Sequence, residues 1–177
     1  MADEILVRRL GPADLSAYKA LRDEALLLHP DAFTSDHETE RARAPESYLG
    51  RLGLSESLGG TFLLGAWIGD QLVGSVCLER ETRQKTRHTA WLVGMMVRDA
   101  YAHHGIGRRL LETCIREARS AIGLQIVVLS VTASNERALR LYERAGFRHY
   151  GLQPQAIRVL TAGGERYYDK ALMLLKL

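Results

Sequence analysis

Two apolar runs of strand length, residues 89–97 and 125–132, are separated by a stretch whose apolar residues recur at intervals of three and four. Ile106, Leu110, Leu111, Cys114, Ile115 and Ala118 fall on one helical stripe, and Arg108, Arg109, Glu112, Arg116 and Arg119 on the opposite side. A strand, a one-faced helix and a second strand in this order predict a helical crossover packed against a sheet.

The same two periods organise the rest of the chain. Residues 5–10 read as a short strand stopped by Gly11-Pro12, and Pro12 suits the first turn of a helix. Leu15, Tyr18, Leu21, Ala25 and Leu28 mark that helix to about His29, where His29-Pro30-Asp31 ends it. The polar stretch 36–52 is expected to contain one or two short helices. Residues 62–68 and 72–81 read as a hairpin around Gly69-Asp70-Gln71. Trp91, Val93, Met95 and Val97 alternate along the third strand and are expected on one face. Ser134 or Asn135 can cap a helix running through Ala145, and Gly146 sits where a left-handed C-terminal residue belongs. Residues 147–152 and 167–175 give two last strands around Gly163-Gly164. The expected fold class is therefore α/β, one mixed sheet in the order β-α-α-β-β-β-α-β-α-β-β. No stretch reads as a linker or a repeat, so residues 1–177 are expected to form a single domain.

Composition narrows the function classes. With 46% hydrophobic and 25% charged residues among 177, the chain can bury a full core and has no signature of disorder. Its apolar runs are too short to span a bilayer, and the opening MADEILVRRL lacks the basic and apolar segments of an export signal. A cytoplasmic location without membrane attachment is expected. Lys and Arg exceed Asp and Glu by 24 to 21, a net charge of +3. That mild excess does not mark a nucleic-acid binder, although the Arg density at 108–119 and 137–148 suits a small anionic ligand. Cys77 and Cys114 lie far apart inside apolar runs and read as reduced core thiols.

Glycines at 105 and 107 stand between a strand and an immediate helix, where backbone can approach a ligand closely. The first-turn N–H groups there are unpaired and, with the helix dipole, suit phosphate oxygens. A G-x-x-x-x-G-K-[ST] loop is absent, and the dinucleotide fingerprint lacks its third glycine and the acidic residue after the next strand. NAD binding is not expected. His103 and His104 are adjacent on a loop with no matching Cys, His or Asp cluster, so no metal site is expected.

The longer constellation is more specific. Met95-Met96-Val97 followed by Arg98 through Leu111, with Gly105-Ile106-Gly107 inside it, resembles the acyl-CoA binding segment of the GNAT superfamily of N-acyltransferases. Downstream, Leu129-Ser130-Val131-Thr132-Ala133-Ser134-Asn135 and Ala138 through Leu141-Tyr142-Glu143-Arg144-Ala145-Gly146-Phe147 resemble that family's second signature. The resemblance covers most of residues 60–150. The family usually has Arg or Gln where Ala102 stands and often Gly where His103 stands, and both are replaced here.

What the resemblance implies is an enzyme that moves an acetyl group from acetyl-CoA, its co-substrate, to a primary amine. The acceptor is a small molecule or a peptide or protein N-terminus, and the amine attacks directly in a ternary complex. A non-catalytic CoA-sensing or partner-binding domain on the same fold is the alternative. The implied cofactor contacts are Met95, Met96 and Val97 through their backbone along an opened strand edge. His103, His104, Gly105, Ile106, Gly107 and Arg108 are implied at the pyrophosphate, and Asn135 at the pantetheine or the helix start. Tyr142 is the implied acid for the departing thiolate. Some relatives carry glutamate where Ser130 stands, so Glu79, acting through water, is the expected base, with Glu81 and Asp169 as others. The acceptor pocket is expected from residues 29–33 or from Tyr167-Tyr168. Neither cysteine is placed as a nucleophile, and the C-terminal strands offer an edge for a homodimer.

Overall fold

Where apolar residues alternate the chain pairs, and where they recur every three or four it coils. The computed structural model describes residues 4–177. Residues 1–3 of the opening segment read for an export signal lie outside them. Strand β1 is Ile5–Arg9, and a 3-10 turn at Pro12–Asp14 leads into helix α1, Leu15–Leu28. A short helix α2, His37–Arg41, and a 3-10 stretch, Pro45–Leu52, occupy the polar segment. Strands β2 (Phe62–Ile68), β3 (Gln71–Arg80) and β4 (Thr89–Val97) follow, then helix α3 (Ile106–Arg119). Strand β5 is Ile126–Thr132, helix α4 is Glu136–Arg144, and β6 (Arg148–Thr161) and β7 (Gly164–Lys176) close the chain.

The seven strands form one sheet in the order β1-β2-β3-β4-β5-β7-β6. β4 and β5 run parallel, as the crossover through α3 requires, and every other pair is antiparallel. This is the mixed α/β sheet the sequence predicts. Ile106, Leu110, Leu111 and Cys114 of α3 pack with Phe62, Leu64 and Val76 on one face. Tyr18 and Leu21 of α1, with Tyr48 and Leu52, pack with Leu63, Cys77 and Met96 on the other. Sealing Leu110 and Leu111 stabilises the fold by on the order of 2 kcal/mol each. No helix among the described residues is long and apolar enough to cross a membrane.

Two expectations need correction. Trp91, Val93, Met95 and Val97 do not share a face. The register between β3 and β4 shifts between Ser75 and Cys77, and Gly94 sits at φ 60° in the bulge. The extra residue reverses the alternation. Val93 and Met96 therefore pack on the α1 side, and Met95 and Val97 on the α3 side. The last two strands are also longer than expected. Most of β6 is exposed on both faces, so no apolar alternation marks it, and a second irregularity between Gln153 and Ile157 breaks its period.

Candidate active site

The bulge at Gly94 has a second effect. β4 and β5 pair at only three positions, Thr89 with Ile126, Ala90 with Val127 and Trp91 with Val128. Past Trp91 the two strands splay, because β5 continues in register with β7 to Thr132 while β4 stays with β3. The edge of β4 from Leu92 to Val97 is left with unpaired peptide groups on the side of β5. An extended chain of amides can pair there as an added strand.

At the end of that edge the chain turns into α3. His103 lies at φ 66° and Gly105, the residue before the helix, at φ 75°. Both are left-handed conformations, which glycine adopts without strain. His103 adopts one as a non-glycine residue, at the position where the family often has glycine. His104 steadies the turn, its Nδ1 lying 2.8 Å from the carbonyl oxygen of Ala102. Among the described residues no acceptor takes the N–H of His103, His104, Gly105, Ile106, Gly107 or Arg108. Six consecutive free donors at the positive end of a 14-residue helix can bind phosphate oxygens. Ile106, 1% exposed, anchors this turn in the core. A Cβ on Gly107 would lie 3.6 Å from Leu141 Cδ2 and 3.9 Å from Val97 Cγ2. The end of β4, the start of α3 and the middle of α4 thus meet at one point.

From that point a cleft of about 290 Å³ runs under the splayed strands. Its walls include Gly94 and Met95 of β4, Ser130 of β5, and Asn135, Leu141 and Tyr142 around α4. Asn135 Oδ1 accepts from the N–H of Ala138 at 3.1 Å, so Asn135 rather than Ser134 caps α4. The cap sets the rotation of the helix, and Tyr142 lands on its inner side, 5% exposed, with its ring edge-on to Phe147 at 5.7 Å. The Tyr142 phenol has no hydrogen-bond partner among the described residues. Burial, with Cys114 nearby, pushes it well above its ordinary value of 10.0, so it keeps its proton.

The order of these parts along the chain is diagnostic. The model of the acetyltransferase (GNAT) family matches residues 19–147, from α1 through Phe147. This chain belongs to the GNAT acetyltransferase family. Over 105 residues it is 35% identical to the N-alpha-acetyltransferase RimI of Mycobacterium tuberculosis, an overlap of 59% of this chain and 61% of that relative's length. The GNAT-family acetyltransferase of Streptococcus pneumoniae superposes with a TM-score of 0.84 at 25% identity, covering 98% of this chain and 100% of that one. YncA of Salmonella typhimurium, solved with its cofactor acetyl-CoA, shares the fold at a TM-score of 0.80 and 24% identity, over 98% and 94% of the two chains.

Seen as a GNAT-family cleft, the site gathers several of the residues singled out from the sequence. Met95, Asn135 and Tyr142 line it. Met96 is buried on the α1 side and Val97 is packed against α3, so both offer backbone rather than side chains. His103, His104 and Arg108 are exposed at the α3 end, and Arg108 pairs with Glu112 at 2.7 Å.

Glu79 is not in the cleft wall. Its Oε1 lies 3.2 Å from Nε of Arg51, and it is Arg51 that lines the cleft. Glu81 accepts from the indole of Trp91, a cleft residue, and Asp169 from the N–H of Gln155, and neither lines the cleft itself. Of the two expected acceptor walls, Ala32 and Phe33 from the segment after α1 line the cleft. Tyr167 and Tyr168 do not: they sit further along β7, opposite Arg158 and Ile157 of the exposed hairpin. Both cysteines are sealed in the core, and burial raises their thiols, Cys114 to about 12 and Cys77 further still. Thiols held so firmly protonated are poor nucleophiles. Among the described residues no three His, Cys, Asp or Glu gather as metal ligands.

Sequence reasoning missed three cations in the wall, Arg22, Arg51 and Lys170. Each comes from a different element, and no local pattern around any of them marks a site.

Proposed function

We propose that residues 1–177 act as a single N-acetyltransferase domain that moves an acetyl group from acetyl-CoA to a primary amine by direct attack in a ternary complex. The observation that carries this reading is the unpaired edge of β4, with a run of free N–H groups at one end and the buried Tyr142 phenol beside it. Acetyl-CoA, when bound, supplies a thioester whose carbonyl is the electrophile. The backbone of Met95, Met96 and Val97 aligns the amide arm, and the N–H groups from His103 to Arg108, with Gly105 and Gly107 at their centre, hold the pyrophosphate. Their positions beside the splay support this assignment.

An N–H of the β4 edge faces the thioester oxygen and stabilises the charge that develops on it. Tyr142 donates its phenolic proton towards the departing sulfur, and burial, which raises the phenol, keeps it in the protonated form from which it can donate. Glu79 takes the amine's proton through water, its carboxylate oriented by Arg51. Asn135 holds the start of α4, and through it the position of Tyr142. Ala102 cannot supply the side-chain contact that Arg or Gln gives in relatives, so main-chain donors carry the diphosphate here.

The test is direct. Calorimetry of the full chain with CoA and acetyl-CoA should give a saturable heat, and initial rates with varied amine and acetyl-CoA should give intersecting lines. Parallel lines would indicate an acyl-enzyme instead. Unchanged pH–rate behaviour in Glu79→Gln would remove that residue from the mechanism. No heat from either form of CoA would overturn the reading.

A further inference from the structure

The acceptor end of the cleft has a lopsided charge. The ionisable side chains in its wall apart from Tyr142 are the cations Arg22, Arg51 and Lys170, and no Asp or Glu stands among the lining residues. Two of the cations are matched from behind. Arg22 Nε lies 2.9 Å from Glu40 Oε2, and Arg51 Nε lies 3.2 Å from Glu79 Oε1 while its Nη1 donates to the Tyr18 phenol at 2.6 Å. Lys170 has no carboxylate within ion-pair distance among the described residues. Its ammonium donates to the Thr34 hydroxyl at 2.6 Å, which leaves donors unused. It is also about half-buried, and burial lowers it from its ordinary value.

We propose, resting on the acetyltransferase reading above, that Lys170 binds an anionic group carried by the acceptor beside its reacting amine, so that the substrate class is small amino acids. Two arguments support the choice. A half-buried ammonium without a counter-ion repels a polycation, and an acceptor bearing only amines brings nothing to offset that repulsion. A carboxylate next to the amine neutralises Lys170 and brings its own ammonium in as part of a zwitterion. The second argument is rigidity. The segment bearing Thr34 is tied down on both sides, by Thr132 Oγ1 donating to the carbonyl of Asp31 at 2.6 Å and by Arg22 donating to the Ser35 hydroxyl at 3.0 Å. The Thr34 hydroxyl that Lys170 contacts is therefore carried on an anchored segment, which directs the ammonium toward the cleft. Phe33 and Trp91 in the wall offer apolar surface to the acceptor's side chain.

The experiment compares matched acceptors with the full chain and acetyl-CoA. The panel is L-leucine, L-phenylalanine and L-glutamate, their carboxamides, spermidine, and a tripeptide amide with a free N-terminus. At least one acid should exceed its own carboxamide in kcat/KM by about ten- to hundredfold, the range for a charge-assisted hydrogen bond. Lys170→Gln should raise KM for that acid by a similar factor, with kcat and acetyl-CoA affinity little changed. Lys170→Arg should keep most of the preference, which a loss of folding would not. Carboxamides, spermidine or the tripeptide reacting as well as the acids would overturn the proposal, as would an unchanged preference in Lys170→Gln. No turnover of any acceptor would overturn it too. In that case a retained heat of acetyl-CoA binding would separate this failure from failure of the proposed function.

Discussion

Nε of Arg22 on α1 stands 2.9 Å from Oε2 of Glu40 on α2, and both residues are buried, 4% and 6% exposed. The Tyr48 phenol donates to the same carboxylate oxygen at 2.6 Å, and Arg43 to the other at 3.0 Å. One carboxylate thus joins α1, α2 and the 3-10 stretch, and fixes the wall from which Arg22 and Ser35 face the cleft.

Removing that carboxylate leaves a buried guanidinium uncompensated. Glu40→Gln should lower stability by about 3–5 kcal/mol, measured by denaturant unfolding. Burial alone would raise the Glu40 carboxyl, but the hydrogen bonds from Tyr48 and Arg22 and the charge of Arg22 outweigh it and hold it at about 2, below its ordinary 4.5. Since the folded value is the lower one, the contribution is complete above about pH 4.5 and disappears as pH falls towards 2. The wild type should therefore lose on the order of 3 kcal/mol more than Glu40→Gln across that window. Equal acid sensitivity of the two proteins would show that the pair contributes nothing.

Tyr142 is the sharpest test of the chemistry. Tyr142→Phe keeps the ring against Phe147, so thermal stability and acetyl-CoA affinity should change little. Its kcat should fall by about a hundredfold or more if the phenol is the proton donor. Because burial raises the phenol, the wild-type rate should show no loss attributable to Tyr142 ionising between pH 8 and its ordinary value of 10.0. Full turnover by the variant across the pH range would end the assignment.

Asn135 has two separable tasks. Its Oδ1 caps α4 through the N–H of Ala138, and Asn135→Ala should cost about 1 kcal/mol in stability. Asn135→Asp retains a capping oxygen but loses the amide donors, so it should keep stability. If the amide also contacts the pantetheine, Asn135→Asp will bind acetyl-CoA more weakly. Wild-type affinity in Asn135→Asp, read by calorimetry, would leave the residue as a cap alone.

Much of this architecture is written locally along the chain. The buried face of α3, from Ile106 to Ala118, follows directly from the three-and-four spacing, because a helix brings those positions together without help from the rest of the molecule. A cap at Ser134 or Asn135 and the left-handed Gly146 depend only on neighbours within a turn, so they too were visible, while the choice of Asn135 came from the structure. The Gly94 bulge was not. Gly94 inside the run is a hint of an irregularity, but residues 89–97 do not say that the strand gains a residue against β3, and that one residue decides which side chains face α1. The exposed part of β6 beyond Leu152 gave no signal either, since its strand state comes from pairing with β7 rather than from burial.

By itself the sequence determined the order of strands and helices, the buried face of α3 and the glycine turn before it, all properties of contacts between near neighbours. The charge of the acceptor end was decided only in three dimensions, where Arg22, Arg51 and Lys170 converge while Glu40 and Glu79 answer the first two and leave the third. Electrostatic balance depends on distances through space, and residues 22, 51 and 170 acquire those distances only when the sheet brings α1, the 3-10 stretch and β7 to the same opening.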